Sequence, residues 1–352
     1  MKARPGIVKS ALFVITAWLL LGIALEGFLR LAGFAPPEGI RLREQYDKYL
    51  PDASLTWVMK PNWSGKELNG ASVTTDGLGL RRTPSSGGVA SRCRILFLGD
   101  SVTFGHFLGD HETIPSCLQE ALTERCRVSV TVHNGAVPGY STFQQRKLLD
   151  RIRTALAPSL VILGFCLNDV TERYSALARY GGERFFMLTV DTETDLDLLV
   201  RLWRRSAIRT AFVRTARSAA QRREMYAVRK LWETPNAPHI QAAWAQVMSE
   251  LDELTETCRA AGIELVVVLY PFRDQLLDPS GSRIPQDRLC GHLSTRGVPH
   301  LDLLGPLASL GIPPDSLFMD ADHFTSRGAR LVAGLVAEFL LDCRAVVWED
   351  IP

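Results

Sequence analysis

Four short polar clusters in the chain carry the residue types that acyl transfer requires. Gly99-Asp100-Ser101 closes one apolar run, Asn134 to Gly139 (NGAVPG) closes a second, and Asn168-Asp169 closes a third. Asp320-Ala321-Asp322-His323 stands just ahead of the last helical stretch. Ser101 is a weak nucleophile at its own pKa and needs a base within hydrogen-bond reach. His323 can be that base, because imidazole titrates near neutrality and can take and return a proton. Asp320, three residues earlier, can reach around to Nδ1 and fix the tautomer. Charge developing on a tetrahedral intermediate needs fixed donors. The candidates for this oxyanion hole are the Ser101 and Gly139 backbone N–H groups and the Asn168 side-chain amide. Gly139, without a side chain, lets its N–H approach a substrate closely.

Each cluster also has an ordinary structural reading. Gly-Asp-Ser is a common turn, Asn168-Asp169 can cap the helix that follows, and Asp320 with His323 can be a cap or half of a metal site without partners. Asp100, Asp169 and Asp322 are read as structural polar residues, Asp110-His111-Glu112 as a solvated loop, and His106 and His133 as satisfied loop or strand-end residues. The order and convergence of the four clusters carry the catalytic reading, not any one residue.

Those clusters need a scaffold that brings them to one edge. Apolar runs at Ile95 to Leu98, Val128 to Val132, Leu160 to Leu167, Ile263 to Tyr270 and, more weakly, His300 to Leu304 read as strands. Stretches of helical spacing at Thr113 to Cys126, Thr142 to Ala155, Ala242 to Ala261 and Ser326 to Leu341 separate or follow them. Strand runs without polar alternation, interleaved with amphipathic helices, predict an α/β fold with a parallel sheet covered on both faces. Ligands of such sheets bind outside the carboxyl ends of the strands. Val170 to Pro238 breaks the alternation and reads as a helical insertion. Within residues 201 to 230 it holds nine Arg and one Lys against a single acid, Glu224. That stretch is either a solvated helical face or a basic amphipathic lid or lipid-headgroup surface.

These residues resemble the SGNH/GDSL hydrolases. Ile95 to Gly105 (ILFLGDSVTFG) is similar to the first family block, Asn134 to Gly139 to the second, Asn168-Asp169 to the third, and Asp320 to Gly328 (DADHFTSRG) to the last. The resemblance implies Ser101 as nucleophile, Asp320 and His323 as acid and base, and Gly139, not Gly135, as the oxyanion glycine. It implies a three-layer αβα sandwich of flavodoxin-like topology with a five-stranded parallel sheet and neither metal nor cofactor. Cys166 stands where the third block usually has glycine, the nearest glycine being Gly164, which puts the backbone beside Asn168 in question. No Gly-x-Ser-x-Gly pentapeptide occurs, so the nucleophile elbow of the α/β-hydrolases is not the template.

The remaining features place the chemistry. Ser10 to Leu25 is uncharged and follows Lys2, Arg4 and Lys9. Residues 7–29 are therefore read as an uncleaved transmembrane anchor, against a signal peptide or buried helix. The positive-inside rule leaves the rest of the chain outside the cytoplasm, on the periplasmic side of an inner membrane. Residues 34–90 read as a juxtamembrane segment of loops and short strands, and 91–346 as the hydrolase domain. With 40 Lys and Arg against 38 Asp and Glu, no global field advertises a nucleic-acid partner. Seven cysteines show no zinc spacing and no disulfide framework, a single Cys117–Cys126 bridge staying open. The expected partners are an ester substrate and the membrane. The expected activity is removal of an acyl or acetyl group from a lipid or cell-envelope saccharide, with an O-acyltransferase or a silent glycan- or lipid-binding scaffold as alternatives.

Overall fold

The computed structural model describes residues 5–34, 48–67, 69–84, 93–126, 130–174, 206–208, 211, 222 and 225–343. Residues 1–40 with 191–223 form one compact unit, and residues 41–190 with 224–352 form another.

The first unit is dominated by α1 (Pro5–Leu29). The apolar stretch Leu12–Phe34, which runs from α1 into the turn after it, has a mean hydropathy of 2.2 over its most apolar 18 residues, none of them buried. Such a helix is about 35 Å long, enough to cross the roughly 30 Å hydrocarbon core. Leu12, Phe13, Trp18, Leu19 and Phe28 all stand exposed. An apolar helix whose large side chains stand exposed is what a membrane span or a signal sequence presents, and not what a core helix does. Glu26 accepts hydrogen bonds from the backbone N–H groups of Ala207 (2.8 Å) and Ile208 (3.1 Å). The Arg-rich stretch 201–230 otherwise lies largely outside the described residues.

The second unit opens with two small antiparallel hairpins. β1 (Tyr49–Asp52) pairs with β2 (Thr56–Met59), and β3 (Ser64–Lys66) pairs with β4 (Ser72–Thr74). The described part of this segment is built into the core, since Trp57, Trp63, Val73 and Leu80 are buried among the residues of the sheet. Arg81 then forms an isolated antiparallel bridge to Asn134. Its fully buried guanidinium donates to the carbonyls of Phe104 and Gly105 and pairs with Asp110 at 3.0 Å. Asp110 is thus a structural clamp and not the solvated loop residue its neighbours suggest.

The α/β part follows the predicted alternation: β5 (Cys93–Leu98), α2 (Ser101–Phe104), α3 (Ile114–Cys126), β6 (Val130–Asn134), α4 (Thr142–Leu156), β7 (Leu160–Phe165), α5 (Asn168–Tyr174), α6 (Pro238–Ala260), β8 (Glu264–Leu269), α7 (Ile284–Thr295), β9 (His300–Asp302) and α8 (Ser326–Asp342). The five strands pair in parallel in the order β6-β5-β7-β8-β9. All six residues of β7 are buried, as a central strand covered on both faces requires. α3 packs on α8, while α4 and α5 pack on α6. Right-handed crossovers put these two groups on opposite faces, which makes the three-layer sandwich. In this strand order the switch point lies between β5 and β7, where the crossovers leave a crevice at the carboxyl ends. Cys117 is a free buried thiol, so the bridge left open by the sequence is not formed from its side.

Candidate active site

The switch point is where the sequence clusters meet. Ser101 is the first residue of α2, immediately beyond β5. Asp100 caps that helix by accepting from the Val102 N–H at 2.9 Å. Two glycines make room for the turn. A Cβ on Gly99 or on Gly164 of β7 would lie 2.2 Å from Thr103 Oγ1. Thr103 itself is hydrogen-bonded to the buried Tyr270 hydroxyl at 3.1 Å, which seats α2 against the end of β8. Gly105 ends α2 in the left-handed conformation (φ 81).

His323 reaches Ser101 from the loop before α8. Its Nε2 lies 2.9 Å from Ser101 Oγ, and its Nδ1 lies 2.8 Å from Asp320 Oδ2 and 3.0 Å from Asp320 Oδ1. Asp320 also accepts from the His323 backbone N–H at 2.9 Å, so one carboxylate holds both the loop and the ring. Asp322, expected as a structural polar residue, places its Oδ1 3.2 Å from the same Nδ1, with its side chain nearly buried. Burial works against a charge on His323, but Asp322, Asp320 and Asp100 outweigh it and raise its pKa to about 10. Asp320 is held well below the usual carboxylate range: burial opposes this, and the hydrogen bonds and charge of His323 prevail. Asp320, Asp322 and His323 offer ligand atoms within 4.8 Å of one another, the grouping that would hold a cation. Here both imidazole nitrogens are already engaged, one with Ser101 and one with the carboxylates.

The other two clusters flank the serine. Gly139, exposed and in the left-handed region (φ 79), has no acceptor for its N–H among the described residues. Its loop is fixed by Trp57, whose indole Nε1 donates to Pro138 O at 3.2 Å and whose ring edge would touch a Gly139 Cβ at 3.1 Å. Tyr140, the next residue, donates its hydroxyl to the Trp57 carbonyl. Asn168 begins α5, with Nδ2 donating to Asp100 Oδ2 at 2.9 Å and Oδ1 buried without a partner. Asp169 accepts from the Thr142 N–H (3.0 Å) and hydroxyl (2.6 Å), which ties the loop after β6 to the loop after β7. Cys166 is buried and keeps an ordinary negative φ, so that position needs no glycine. Burial raises its thiol pKa strongly, and it is a packing residue.

The sequence reading missed one neighbour of the site. His106, expected as a satisfied loop residue, packs at a tilt against Phe107 (ring centroids 3.9 Å apart) and lies 5.3 Å from the His323 ring. Its spacing five residues after Ser101 carries no catalytic signal. What brings it in is the turn at Gly105, where the His106 N–H donates to the Ser101 carbonyl at 3.0 Å. His133, half-buried in β6, is not drawn to the site.

The geometry has the parts of a serine acyl-transfer site, and comparison with known proteins agrees on the class. The model of the GDSL-like lipase/acylhydrolase family matches residues 97–297, more than half of the chain. No curated protein matches the chain. Among solved structures it is similar to TesA, at 13% identity and a TM-score of 0.43 over 70% of this chain and 97% of that one. It is similar to a two-domain esterase active on acetylated mannans, at 12% identity and a TM-score of 0.43 over 73% of this chain and 51% of that one. A catalytic mutant of an acetylxylan esterase from Geobacillus stearothermophilus aligns at 12% identity and a TM-score of 0.44 over 74% of this chain and 98% of that one. The chain belongs to the GDSL-like lipase/acylhydrolase family, and it is an ester-hydrolysing enzyme.

Proposed function

We propose that the protein removes an acyl or acetyl group from a lipid or cell-envelope saccharide ester, with Ser101 as nucleophile, His323 as base and Asp320 as the orienting acid. The observation that carries this reading is the unbroken chain Ser101 Oγ–His323–Asp320, at 2.9 and 2.8 Å. In acylation, Ser101 Oγ bonds the acyl carbon as its proton passes to His323 Nε2. The tetrahedral intermediate then collapses, the ester C–O bond breaks, and the leaving alcohol oxygen takes that proton. Water repeats the sequence on the acyl-serine, giving up a proton to His323, which returns it to Ser101 as the acid leaves. The Ser101 and Gly139 N–H groups and the Asn168 amide are the proposed oxyanion donors.

We infer further that α1 anchors the enzyme in a membrane with residues 91–346 on the extracytoplasmic side. Its uncharged stretch Ser10 to Leu25 supports this, together with Lys2, Arg4 and Lys9 ahead of that stretch. The catalytic assignment is tested with purified full-length protein in detergent. Wild type should hydrolyse p-nitrophenyl acetate and Ser101→Ala should not, and equal rates in the two would overturn it.

A further inference from the structure

Beside the proposed triad lies a second carboxylate–imidazole pair. Glu67 and Lys48 form an ion pair with both side chains almost wholly buried. Burying two charges is costly unless the geometry repays it, so such a pair marks a place where a fixed carboxylate is worth having. The second carboxylate oxygen of Glu67 faces His106 Nδ1 at 3.5 Å. Both atoms are buried and neither has another partner. A buried donor and acceptor left facing one another gain from closing that gap, and hydrogen bonds at unliganded sites commonly tighten when substrate binds.

The protonation state follows from these surroundings. Burial opposes a charge on Glu67, yet His106 and Lys48 bring its pKa down to about 2, so it is an ionised acceptor. Burial lowers the His106 pKa against the pull of Glu67, and the charges of His323 and Lys48 lower it further. A neutral imidazole beside a carboxylate carries its proton on the nitrogen facing that carboxylate. Nδ1 is then the N–H, and Nε2 is a lone pair. Nε2 has no hydrogen-bond partner among the described residues, and the side chain is 20% exposed. The ring is held there from both sides. Phe107, in the left-handed region at φ 69, packs against it and sits edge-on to His323 at 5.9 Å. A non-glycine residue in that region is strained, and the strain persists only where its surroundings hold it.

The leaving alcohol takes its proton from His323 in the proposed mechanism, so it departs beside that ring, and a lone pair on the imidazole 5.3 Å away selects for a donor on that alcohol. We propose that His106 is a specificity-determining residue whose Nε2 accepts a hydrogen bond from a free hydroxyl neighbouring the scissile ester, so that the preferred substrates are partially acylated polyols, saccharides among them. Glu67 acts through His106 as a positioning residue, and Lys48 holds Glu67. The proposal rests on the reading of Ser101 and His323 given above.

The test compares kcat/KM for 2-hydroxyethyl acetate and ethyl acetate, two esters that differ by one hydroxyl, using the full chain in detergent. Wild type should favour the hydroxy ester by about five- to ten-fold over the ratio of their alkaline hydrolysis rates, the worth of one hydrogen bond. His106→Phe and Glu67→Gln should bring the ratio down to the chemical one. If Glu67→Gln fails to fold because Lys48 is left unpaired, His106→Asn is used in its place. A wild-type ratio equal to the chemical ratio, or a loss in His106→Phe that is the same for both esters, would overturn the proposal. Ser101→Ala separates the two readings. Inactivity on both esters shows that the ratio belongs to this site, whereas retained activity overturns the Ser101 assignment itself.

Discussion

Asn168 and Asp100 join the ends of neighbouring strands, the amide Nδ2 of Asn168 donating to Asp100 Oδ2 at 2.9 Å across the boundary between β5 and β7. The bond fixes the rotamer of the amide while leaving its second N–H for a substrate oxygen. Asp100 is fully buried and caps α2 at the same time, so one carboxylate sets both the nucleophile's helix and the proposed oxyanion donor. Asn168→Ala should lower kcat by about 10²–10³ with little change in KM, the usual loss for one such donor. Steady-state kinetics on p-nitrophenyl acetate with an unchanged thermal melt would bear this out. An unchanged kcat would remove Asn168 from the oxyanion hole.

The pH dependence should be unusual. In the proposed mechanism His323 takes the Ser101 proton only when neutral, and Asp322, Asp320 and Asp100 hold its pKa up at about 10 against the effect of burial. The neutral form is populated above that pKa, so kcat/KM should climb with pH through the alkaline range and not level off near pH 7. Asp322→Asn removes one of the raising charges and should shift the rising limb to lower pH. A limb that does not move would show that Asp322 does not act on His323.

The glycine question raised by the third sequence block has a definite expected answer. A Cβ on Gly164 would meet Thr103 Oγ1 at 2.2 Å and Tyr270 at 2.7 Å. Gly164→Ala should therefore cost about 1–3 kcal/mol, the range for overpacking a core. Cys166→Gly should leave activity within a few-fold of wild type, because the backbone there needs no glycine. Thermal melts and p-nitrophenyl acetate rates of both variants distinguish the two positions.

Arg81 is expected to be a large stability determinant. Its buried guanidinium satisfies the Phe104 and Gly105 carbonyls at the end of α2, stacks on the Phe104 ring at 4.6 Å and pairs with Asp110. Arg81→Met removes the cation paired with Asp110 and the donor to the Leu108 carbonyl, and should destabilise the fold by about 3–5 kcal/mol. Denaturant titration of the variant measures this, and a loss under 1 kcal/mol would contradict it.

The sheet was legible because three of its buried strands, β5, β6 and β7, end in a polar cluster, so a single pattern marked both the element and its functional edge. Boundaries moved by a few residues where an apolar side chain continues past the ladder, as at Cys166 and Leu167, which follow β7 yet stay buried. The proposed site residues could be read because Ser, Gly, Asn, Asp and His are each tied to a distinct chemical need. His106, Glu67 and Lys48 could not. Their types are common in loops, and only the fold, which sets Lys48 over the Phe104 ring and Glu67 against His106, brings residues 48, 67 and 106 together. The clamp role of Arg81 was hidden for the same reason, since its partners lie more than twenty positions away in the sequence. Trp57 beside Gly139 belongs with them, because nothing in residues 34–90 read as sequence points to the loop after β6.

The central claim, that Ser101 is a nucleophile activated by His323, is tested most directly by labelling cells that express the protein with a fluorescent fluorophosphonate probe. Wild type should label at the mass of this chain, Ser101→Ala should not label, and His323→Ala should label at least about ten-fold more slowly. Equal labelling of wild type and Ser101→Ala would contradict the account.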